Sequence, residues 1–120
     1  MLVGVDCLEP SRMEKLINNN AFLTKCLTKY ESAYLETRIS KIVSLAGIFC
    51  AKEAFLKALG LGLFNGISLN EIEVRHRDGG QPYICLSDNA KKIMNMRGQS
   101  NIELSITHTN TLAAAVCVLY

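Results

Sequence analysis

The sequence lacks the features that mark several classes of protein. Its 120 residues contain no apolar run long enough to span a membrane, and Asp6 and Glu9 interrupt the N-terminal apolar run too early for a signal peptide. Charged residues make up only 20% of the chain and the formal net charge is +2, which is unlike a disordered or nucleic-acid-coating chain. We therefore expect a single cytoplasmic domain over residues 1–120, with no membrane or nucleic-acid partner.

The cysteines lack the spacing of a zinc site or of a disulfide framework. There are five of them, an odd number, and they form no CxxC motif. They lie far apart in apolar runs, at positions 7, 26, 50, 85 and 117. We expect buried, reduced thiols, as is usual in a cytosolic protein. The glycine-rich stretch Leu61 to Gly66 likewise lacks the GxxxxGK[ST] pattern of a phosphate-binding loop, so we interpret it as a loop only.

The N-terminal half of the sequence predicts one strand followed mainly by helices. The β-branched run Leu2 to Val5 predicts a buried strand that ends at Asp6. The segments that follow are a helix capped by Ser11 and ended by asparagines 18–20, a short apolar piece over 21–27, a helix opened by a Thr28–Glu31 capping box and running to about Thr37, and a long helix between Ser40 and Gly60. The long helix is apolar around most of its circumference, so we expect it to lie in the core.

The C-terminal half predicts a hairpin, one helix and two further strands. Residues 67–77 and 82–86 indicate two strands joined by an Asp-Gly-Gly turn, and Ser87 caps a helix that continues to about Met96. Residues 102–107 alternate as a half-buried strand, and the unbroken apolar character of 111–120 predicts a fully buried last strand. The predicted class is α+β, with a small antiparallel-type sheet packed on the long helix.

Polar residues that could take part in catalysis or binding occur at three places. Asp6 ends the first predicted strand, where it could line a cleft or merely cap the turn. Glu53 and Lys57 lie four residues apart on one face of the long helix. That spacing fits both an ordinary surface pair, which contributes about 0.2–0.5 kcal/mol, and a carboxylate and ammonium at the rim of a cleft, for a metal and a phosphate. The third place is the turn at His108, where a structural histidine is the commoner case.

Three segments resemble, in order and spacing, the holo-[acyl-carrier-protein] synthases, a family of 4'-phosphopantetheinyl transferases. They are Gly4-Val5-Asp6, the stretch Phe49 to Ala58, which fits FxxKExxxKA, and Ser105 to Thr109, which fits S-[IL]-[ST]-H-[TS]. The resemblance covers essentially the whole chain. It implies an enzyme of fatty acid biosynthesis that transfers 4'-phosphopantetheine from coenzyme A to a serine of apo acyl carrier protein, uses Mg²⁺ and releases adenosine 3',5'-bisphosphate. It also implies the transferase fold and a homotrimer with active sites at the subunit interfaces.

The resemblance implies a role for each matching residue. Asp6 and Glu53 match the metal carboxylates of the family, and Lys57 matches the lysine beside the transferred phosphate, so these three are the expected catalytic residues. The positions that match coenzyme A contacts, or the supports of such contacts, are Lys52, Lys57, Gly60, Ser105, Thr107 and His108. Arg12 matches an arginine that meets the acidic carrier protein. The proton of the carrier serine goes either to a metal-ordered water or to a nearby carboxylate, and both routes remain open.

The sequence departs from the family pattern in two ways. Ile48 stands where many members have arginine, which removes a positive charge that could help to hold the 3'-phosphate of coenzyme A. The basic face around Arg12 is thin, so we expect weak, salt-sensitive recognition of the carrier protein. Glu9 could be a third carboxylate near the metal or simply solvated. A non-catalytic relative that binds coenzyme A or carrier protein is the alternative function, and a metal-independent structural oligomer is a third.

Overall fold

The computed structural model describes residues 1–62 and 65–120, so the part of the predicted loop at positions 63 and 64 lies outside the described residues. The described elements are, in chain order, β1 (Leu2–Leu8), a 3-10 helix (Pro10–Met13), α1 (Asn20–Cys26), α2 (Lys29–Glu36), α3 (Lys41–Ala58), a second 3-10 helix (Leu69–Glu71), β2 (Ile72–His76), β3 (Pro82–Leu86), α4 (Asp88–Met96), β4 (Ile102–His108) and β5 (Ala113–Leu119).

The five described strands form two antiparallel sheets. In the larger sheet the order is β1-β5-β4, so β5 lies in the centre and pairs with both neighbours. The smaller sheet is the hairpin of β2 and β3. Helix α3 packs across one face of the larger sheet and contacts all three of its strands. The predicted α+β class, with a small antiparallel sheet packed on a long helix, is confirmed.

Helix α3 begins and ends at the residues that the sequence predicts. Ser40 caps it, because its side chain accepts a hydrogen bond from the backbone N–H of Val43 at 3.3 Å. Gly60 adopts a φ of +73° just beyond the last turn, and the N–H of Leu61 then donates to the carbonyl of Leu56 at 2.8 Å. This is the left-handed glycine cap that ends many helices. Since most of its side chains are buried, α3 is the core helix of the described residues.

Strand β1 approaches the backbone of α3 more closely than a side chain would allow. A Cβ atom on Gly4 would lie 1.8 Å from the carbonyl oxygen of Ala54 and 2.6 Å from the nitrogen of Ala58. Real Cβ atoms do not come that near to backbone atoms, so only glycine fits here. The close approach explains the glycine of the Gly4-Val5-Asp6 segment, and it sets Asp6 over the neighbouring turns of α3.

Two predicted elements at the start of the chain need correction. β1 does not end at Asp6 but continues to Leu8, because each of its seven residues is paired with β5. The helix predicted over residues 11–18 is reduced to the 3-10 helix Pro10–Met13 and a run of turns. The apolar piece over 21–27 is part of helix α1, which Asn19 caps by accepting from the N–H of Phe22 at 3.0 Å. The Thr28–Glu31 capping box of α2 is present as predicted.

The strands of the C-terminal half also differ from prediction in two respects. The strand expected over 67–77 begins only at Ile72, since residues 69–71 form a 3-10 turn. The last strand is not fully buried: along β5, buried residues alternate with partly exposed ones, and Val116 is 40% exposed. β3 and α4, with its Ser87 cap, match the prediction. None of the described helices combines the length and the apolar character needed to cross a bilayer.

The face of the larger sheet that points away from α3 is open and apolar. Val3 and Val5 of β1 are 52% and 53% exposed, and Val5 pairs with the exposed Val116 of β5. Cys7 also lies on this face and is exposed, which corrects the expectation that all five cysteines are buried. The other four are buried or half-buried, and all five are free thiols. An exposed apolar face of this kind is typical of a protein–protein interface.

Candidate active site

Asp6, Glu53 and Lys57 come together at the edge of the larger sheet, and we call them the carboxylate cluster. Asp6 lies on the helix-facing side of β1, and the other two come from successive turns of α3. The Lys57 ammonium donates to Oδ1 of Asp6 at 2.9 Å. The Asp6 side chain is only 14% exposed, whereas that of Lys57 is 51% exposed. An acid from the start of the chain and a base from its middle therefore share one site.

Glu53 is the least satisfied member of the carboxylate cluster. Its Oε1 atom is buried and has no hydrogen-bond partner among the described residues. Burial raises the pKa of the Glu53 carboxyl, the negative charge of Asp6 raises it further, and the positive charge of Lys57 opposes both. A buried carboxylate oxygen without a partner costs folding free energy. Such an atom is well placed to accept a cation or a donor from a ligand.

The donor set of the carboxylate cluster suits a magnesium ion. Within the described residues no group of three or more His, Cys, Asp or Glu side chains is placed to hold a metal, and Glu9 is exposed to solvent. Burial, together with the nearby Asp6, raises the pKa of the Cys50 thiol to about 12, so this thiol stays neutral beside the cluster. Two carboxylates with no thiolate are typical of Mg²⁺, which completes its shell with waters and substrate phosphates.

Lys52 does not belong to this site, although the sequence places it next to Glu53. Its side chain is 1% exposed, and its ammonium donates to the carboxylate of Glu31 at 2.7 Å and to the carbonyls of Cys26 and Leu69 at 2.5 and 2.9 Å. All three of its donors are therefore used inside the protein. The expected contact of Lys52 with coenzyme A is corrected to a structural role.

Sequence reasoning missed the partner of Lys52. Glu31 fits a capping box, and that local role accounts for an acid at this position without any buried cation. In the structure one Glu31 oxygen accepts from Thr28 and Lys52, and the other accepts from the N–H of Val74 at 2.7 Å. Burial lowers the pKa of Lys52 and the charge of Glu31 opposes this shift. The ion pair links α2 to α3, and the hydrogen bond from Val74 to Glu31 links both helices to β2 in the interior.

A cavity of about 180 Å³ lies on the other side of α3, and we call it the His108 pocket. Residues that line it include Tyr34, Arg38, Ile48, His76, Ile106 and His108. The ring of Tyr34 stacks on the imidazole of His76, with 4.1 Å between centroids and 9° between planes. The guanidinium of Arg38 lies 5.3 Å from the centroid of the Tyr34 ring. The pocket thus has flat aromatic walls, a cation and, in His108, a residue singled out by the sequence.

The structure places the His108 turn away from the carboxylate cluster. Asp6 and His108 lie on β1 and β4, the two edge strands of the larger sheet, with β5 between them. Two strand spacings amount to about 10 Å, and α3 covers the face between them. Ser105 and Thr107 pair with Val116 and Ala114 and lie on the opposite, exposed face. Within one chain, therefore, neither residue joins the carboxylate cluster.

The two remaining predicted positions lie on segments that follow the elements of the carboxylate cluster. Gly60 ends α3 three residues after Lys57, and its positive φ gives it a clear structural reason for being glycine. Arg12 is exposed on the 3-10 helix that follows β1 at the same edge of the sheet. Gly60 therefore supports the end of the helix that carries Glu53 and Lys57, and Arg12 offers an exposed charge on the element that follows the strand of Asp6.

Known proteins resemble this chain over nearly its full length. The holo-[acyl-carrier-protein] synthase of Treponema denticola is 42% identical over 118 residues, which cover 98% of this chain and 95% of that protein. The crystal structure of the Neisseria meningitidis synthase superposes with a TM-score of 0.89 at 27% identity and covers 100% of this chain and 99% of that one. The Helicobacter pylori synthase, in complex with coenzyme A, gives a TM-score of 0.86 at 28% identity and covers 99% and 100%. Because residues 2–117 also match the family itself, the chain belongs to the 4'-phosphopantetheinyl transferase superfamily.

Proposed function

We propose that the chain is a holo-[acyl-carrier-protein] synthase, one transferase domain over residues 1–120. It transfers 4'-phosphopantetheine from coenzyme A to a serine of apo acyl carrier protein and releases adenosine 3',5'-bisphosphate. The meeting of Asp6, Glu53 and Lys57 is the observation that supports this proposal most. Glu53 contributes a buried carboxylate oxygen without a hydrogen-bond partner among the described residues, and Asp6 and Lys57 contribute a second carboxylate and an ammonium. The curated relatives carry the name of this enzyme, and one relative's structure contains coenzyme A.

Asp6 and Glu53 are the residues that would hold Mg²⁺ in this enzyme. When bound, the ion neutralises charge on the diphosphate of coenzyme A as its linkage is broken. Lys57 neutralises charge on the phosphate that is transferred. Its hydrogen bond to Asp6 raises the pKa of Lys57, so the ammonium stays protonated at neutral pH. Since Asp6 also fixes the direction of that ammonium, the cluster is organised before the substrate binds.

We further propose a homotrimer in which each active site lies between two chains. The carboxylate cluster and the His108 pocket lie at opposite edges of one sheet, so a single chain does not bring them together. The exposed valines of the outer sheet face provide an apolar surface that a second copy could cover. In this arrangement the His108 pocket of one chain lies beside the carboxylate cluster of its neighbour. Ser105 and Thr107, which point to the same outer face, then lie at the interface.

The carrier protein approaches the exposed Arg12 in this proposal. Arg12 lies just after β1, at the edge of the sheet that carries Asp6, so a basic contact there would guide the carrier serine toward the cluster. Because exposed charges are screened by salt, carrier recognition weakens as ionic strength rises. A cytoplasmic enzyme of fatty acid biosynthesis fits these substrates.

The test mixes the purified chain with apo acyl carrier protein, coenzyme A and Mg²⁺. The carrier protein should gain about 340 Da, the mass of a phosphopantetheine group, as measured by intact mass spectrometry. Asp6→Asn and Glu53→Gln should abolish the gain, and Lys57→Ala should slow it. Lys41→Ala is the matched control, because Lys41 also belongs to α3 but pairs with the exposed Glu36.

Two outcomes would count against the proposal. If the wild-type chain added no mass over a range of salt and Mg²⁺ concentrations while it still bound coenzyme A, the non-catalytic relative would be favoured. If the three variants of the carboxylate cluster kept activity within a few fold of the Lys41→Ala control, the site would be assigned to the wrong residues.

A further inference from the structure

A second cavity lies between strand β3, helix α4 and the start of β4, and we call it the β3–α4 groove. Its volume is about 580 Å³, and small-molecule sites usually have volumes of about 300–1,000 Å³. None of the residues expected at the active site is among the described residues that line it. The groove is therefore a separate cavity of ligand size. Residues that line it include Arg77, Leu86, Lys91, Met94, Asn95 and Ile102.

The β3–α4 groove also lies apart from the His108 pocket. The described residues that line the two cavities include no common member. Strand β4 begins at Ile102, which lines the groove, and ends at His108, so these two residues lie about 20 Å apart at about 3.4 Å per residue. In the hairpin, His76 lines the His108 pocket, whereas the next residue, Arg77, lines the groove. A ligand in the groove therefore leaves the pocket open.

The side chains of the β3–α4 groove give it a positive charge. Arg77 and Lys91 line it, its described lining residues include no Asp or Glu, and the ion pairs of the described residues include neither cation. The guanidinium of Arg77 lies 4.6 Å from the centroid of the Tyr83 ring, and a guanidinium held against a ring keeps its N–H donors available to an anion. Asn95 lies one turn after Lys91 on α4 and adds an amide donor. These groups favour an anionic ligand.

The facing edges of β3 and β4 supply further hydrogen-bonding groups. Among the described strands, β3 pairs only with β2 and β4 pairs only with β5. The two strands nevertheless lie side by side. Their facing edges therefore present backbone N–H and C=O groups that have no strand partner in the described part of the chain. An anion in the groove can accept hydrogen bonds from these N–H groups.

The base of the β3–α4 groove is apolar. Met94 is 3% exposed, and Leu86 and Ile102 are half-buried against the core. Contact with these side chains would remove apolar ligand surface from water, which favours binding. Because apolar and cationic side chains line one cavity, the groove suits a ligand that combines a negative group with an apolar body.

We propose that the β3–α4 groove binds a small phosphate monoester with an apolar body. At pH 8 such a phosphate carries nearly two negative charges and has three strong acceptor oxygens. Arg77 and Lys91 match the two charges, and the guanidinium fork can donate two parallel hydrogen bonds to one phosphate. The apolar body lies against Leu86, Met94 and Ile102. A carboxylate carries a single charge and offers fewer oxygens, so it should bind more weakly.

Four small probes test this assignment on the full chain. Titration calorimetry at pH 8 compares phenyl phosphate with inorganic phosphate, benzoate and benzyl alcohol, which lack the apolar body, the second charge and all charge, respectively. Phenyl phosphate should bind about tenfold or more tightly than each of the others. Arg77→Gln and Lys91→Gln should each weaken phenyl phosphate, and Arg77→Gln should do so about tenfold, the loss expected for charge-assisted hydrogen bonds. Arg77→Lys should restore part of the affinity, because it keeps the charge but not the fork.

Lys92→Gln is the matched control. Lys92 is the exposed neighbour of Lys91 on α4 but is not among the described residues that line the groove, so the variant should bind phenyl phosphate like the wild type. Cys85 reports the location of binding, because its half-buried free thiol lines the groove. Phenyl phosphate at ten times its dissociation constant should slow the reaction of Cys85 with iodoacetamide about threefold or more, as measured by peptide mass spectrometry. Adenosine 3',5'-bisphosphate, the product of the proposed transfer, should leave that rate unchanged.

The proposal would be overturned by a wild-type chain that does not bind phenyl phosphate, or that binds inorganic phosphate, benzoate or benzyl alcohol equally well. Unchanged affinity in both Arg77→Gln and Lys91→Gln, or a Cys85 thiol that phenyl phosphate does not protect, would overturn it as well. Failure of the proposed function is a separate result. In that case the carrier protein gains no mass, although phenyl phosphate still protects Cys85.

Discussion

At the scale of single residues, the buried environment of the Glu53 carboxylate costs folding free energy. One of its oxygens is buried without a partner among the described residues, and burial raises its pKa. A raised pKa in the folded state means that folding favours the protonated carboxyl. The stability that this form contributes is lost as the pH rises through the folded-state pKa. At pH 8, therefore, the ionised Glu53 destabilises the metal-free chain, and a bound cation would remove that cost.

We predict that Glu53→Gln separates stability from metal binding. At pH 8 without Mg²⁺, the variant should melt at or above the temperature of the wild-type chain, because the amide carries no buried charge. Mg²⁺ at ten times its dissociation constant should stabilise the wild type by about 1.4 kcal/mol, a shift of a few degrees, and should leave the variant unchanged. Differential scanning calorimetry at one protein concentration measures both effects.

Glu36→Gln is the control for this experiment, since Glu36 is an exposed acid paired with Lys41. The Glu36→Gln variant should be stabilised by Mg²⁺ as much as the wild-type chain. Equal stabilisation of the wild type and Glu53→Gln by Mg²⁺ would remove Glu53 from the metal site.

The resemblance to the family led us to expect Asp6, Glu53 and Lys57 at one site, but it did not identify every neighbour of that site. Asp6, Glu53 and Lys57 belong to motifs with fixed spacing, and the structure brings them together. Lys52 belongs to the same motif yet points into the interior, since adjacent residues of a helix face directions about 100° apart. Its partner Glu31 lies in another helix, and spacing along the chain carries no information about that contact.

At the scale of secondary-structure elements, the buried pair of Lys52 and Glu31 determines how α2, α3 and β2 fit together. We predict that Lys52→Met destabilises the chain by about 3–5 kcal/mol, because Glu31 is then a buried charge without a counterion. Lys41→Met removes the exposed partner of Glu36 from the same helix and should cost less than about 1 kcal/mol. Urea unfolding of the two variants measures the difference. Similar losses for both would mean that the buried charge of Glu31 is compensated in another way.

Gly4 determines how closely β1 approaches α3. We predict that Gly4→Ala strongly destabilises the chain and lowers activity in whatever fraction folds. The added methyl would overlap the backbone of Ala54, so β1 must move and carry Asp6 away from Glu53 and Lys57. Gly79→Ala is the matched control, because a Cβ atom there meets no described atom within 4 Å. Thermal melts and mass-shift assays on both variants test the prediction, and a Gly4→Ala chain with wild-type stability and activity would contradict it.

The sequence predicted the ends of an element well where local capping residues mark them, and poorly where pairing between distant strands determines them. Ser40, Ser87 and the Thr28–Glu31 box are hydrogen-bonding caps within four residues of the helices that they begin, so sequence alone identified them. The length of β1 depends instead on pairing with β5, which lies more than 100 residues away along the chain. The same dependence explains why β5 was expected to be fully buried, since its apolar run does not reveal that one face of the sheet is open.

At the scale of the whole molecule, the order β1-β5-β4 has a consequence for function. It places Asp6 and His108 on different edges of the larger sheet, although both occur in the motifs that identify the family. Sequence order could not predict this, because the position of a strand in a sheet is a property of topology. If coenzyme A contacts both the carboxylate cluster and the His108 pocket, the proposed assembly supplies them from two neighbouring chains. An assembly with a mass of about 40 kDa, three times the 13.2 kDa of one chain, would satisfy that need.

We predict that two inactive variants restore activity when they share one assembly. Asp6→Asn damages the carboxylate cluster and His108→Ala damages the pocket, so each alone should have little activity. In an equal mixture, co-expressed with two different tags, a site is intact only if the first chain supplies Asp6 and its neighbour supplies His108. Random assembly should make about a quarter of the sites intact, since each of these two conditions holds about half of the time. The rate of mass transfer to the carrier protein should recover to about that fraction of wild type.

The pairing of Asp6→Asn with Glu53→Gln gives the matched control for this experiment. Both carboxylates belong to one chain, in which they lie close enough for the charge of Asp6 to raise the pKa of Glu53. Every site in that mixture therefore contains a damaged carboxylate cluster, and no activity should return. Recovery in the first mixture but not in the second requires a site shared between chains. If neither mixture recovered although both formed mixed assemblies of about 40 kDa, Asp6 and His108 would serve one site within a single chain, and the proposed site between two chains would be wrong.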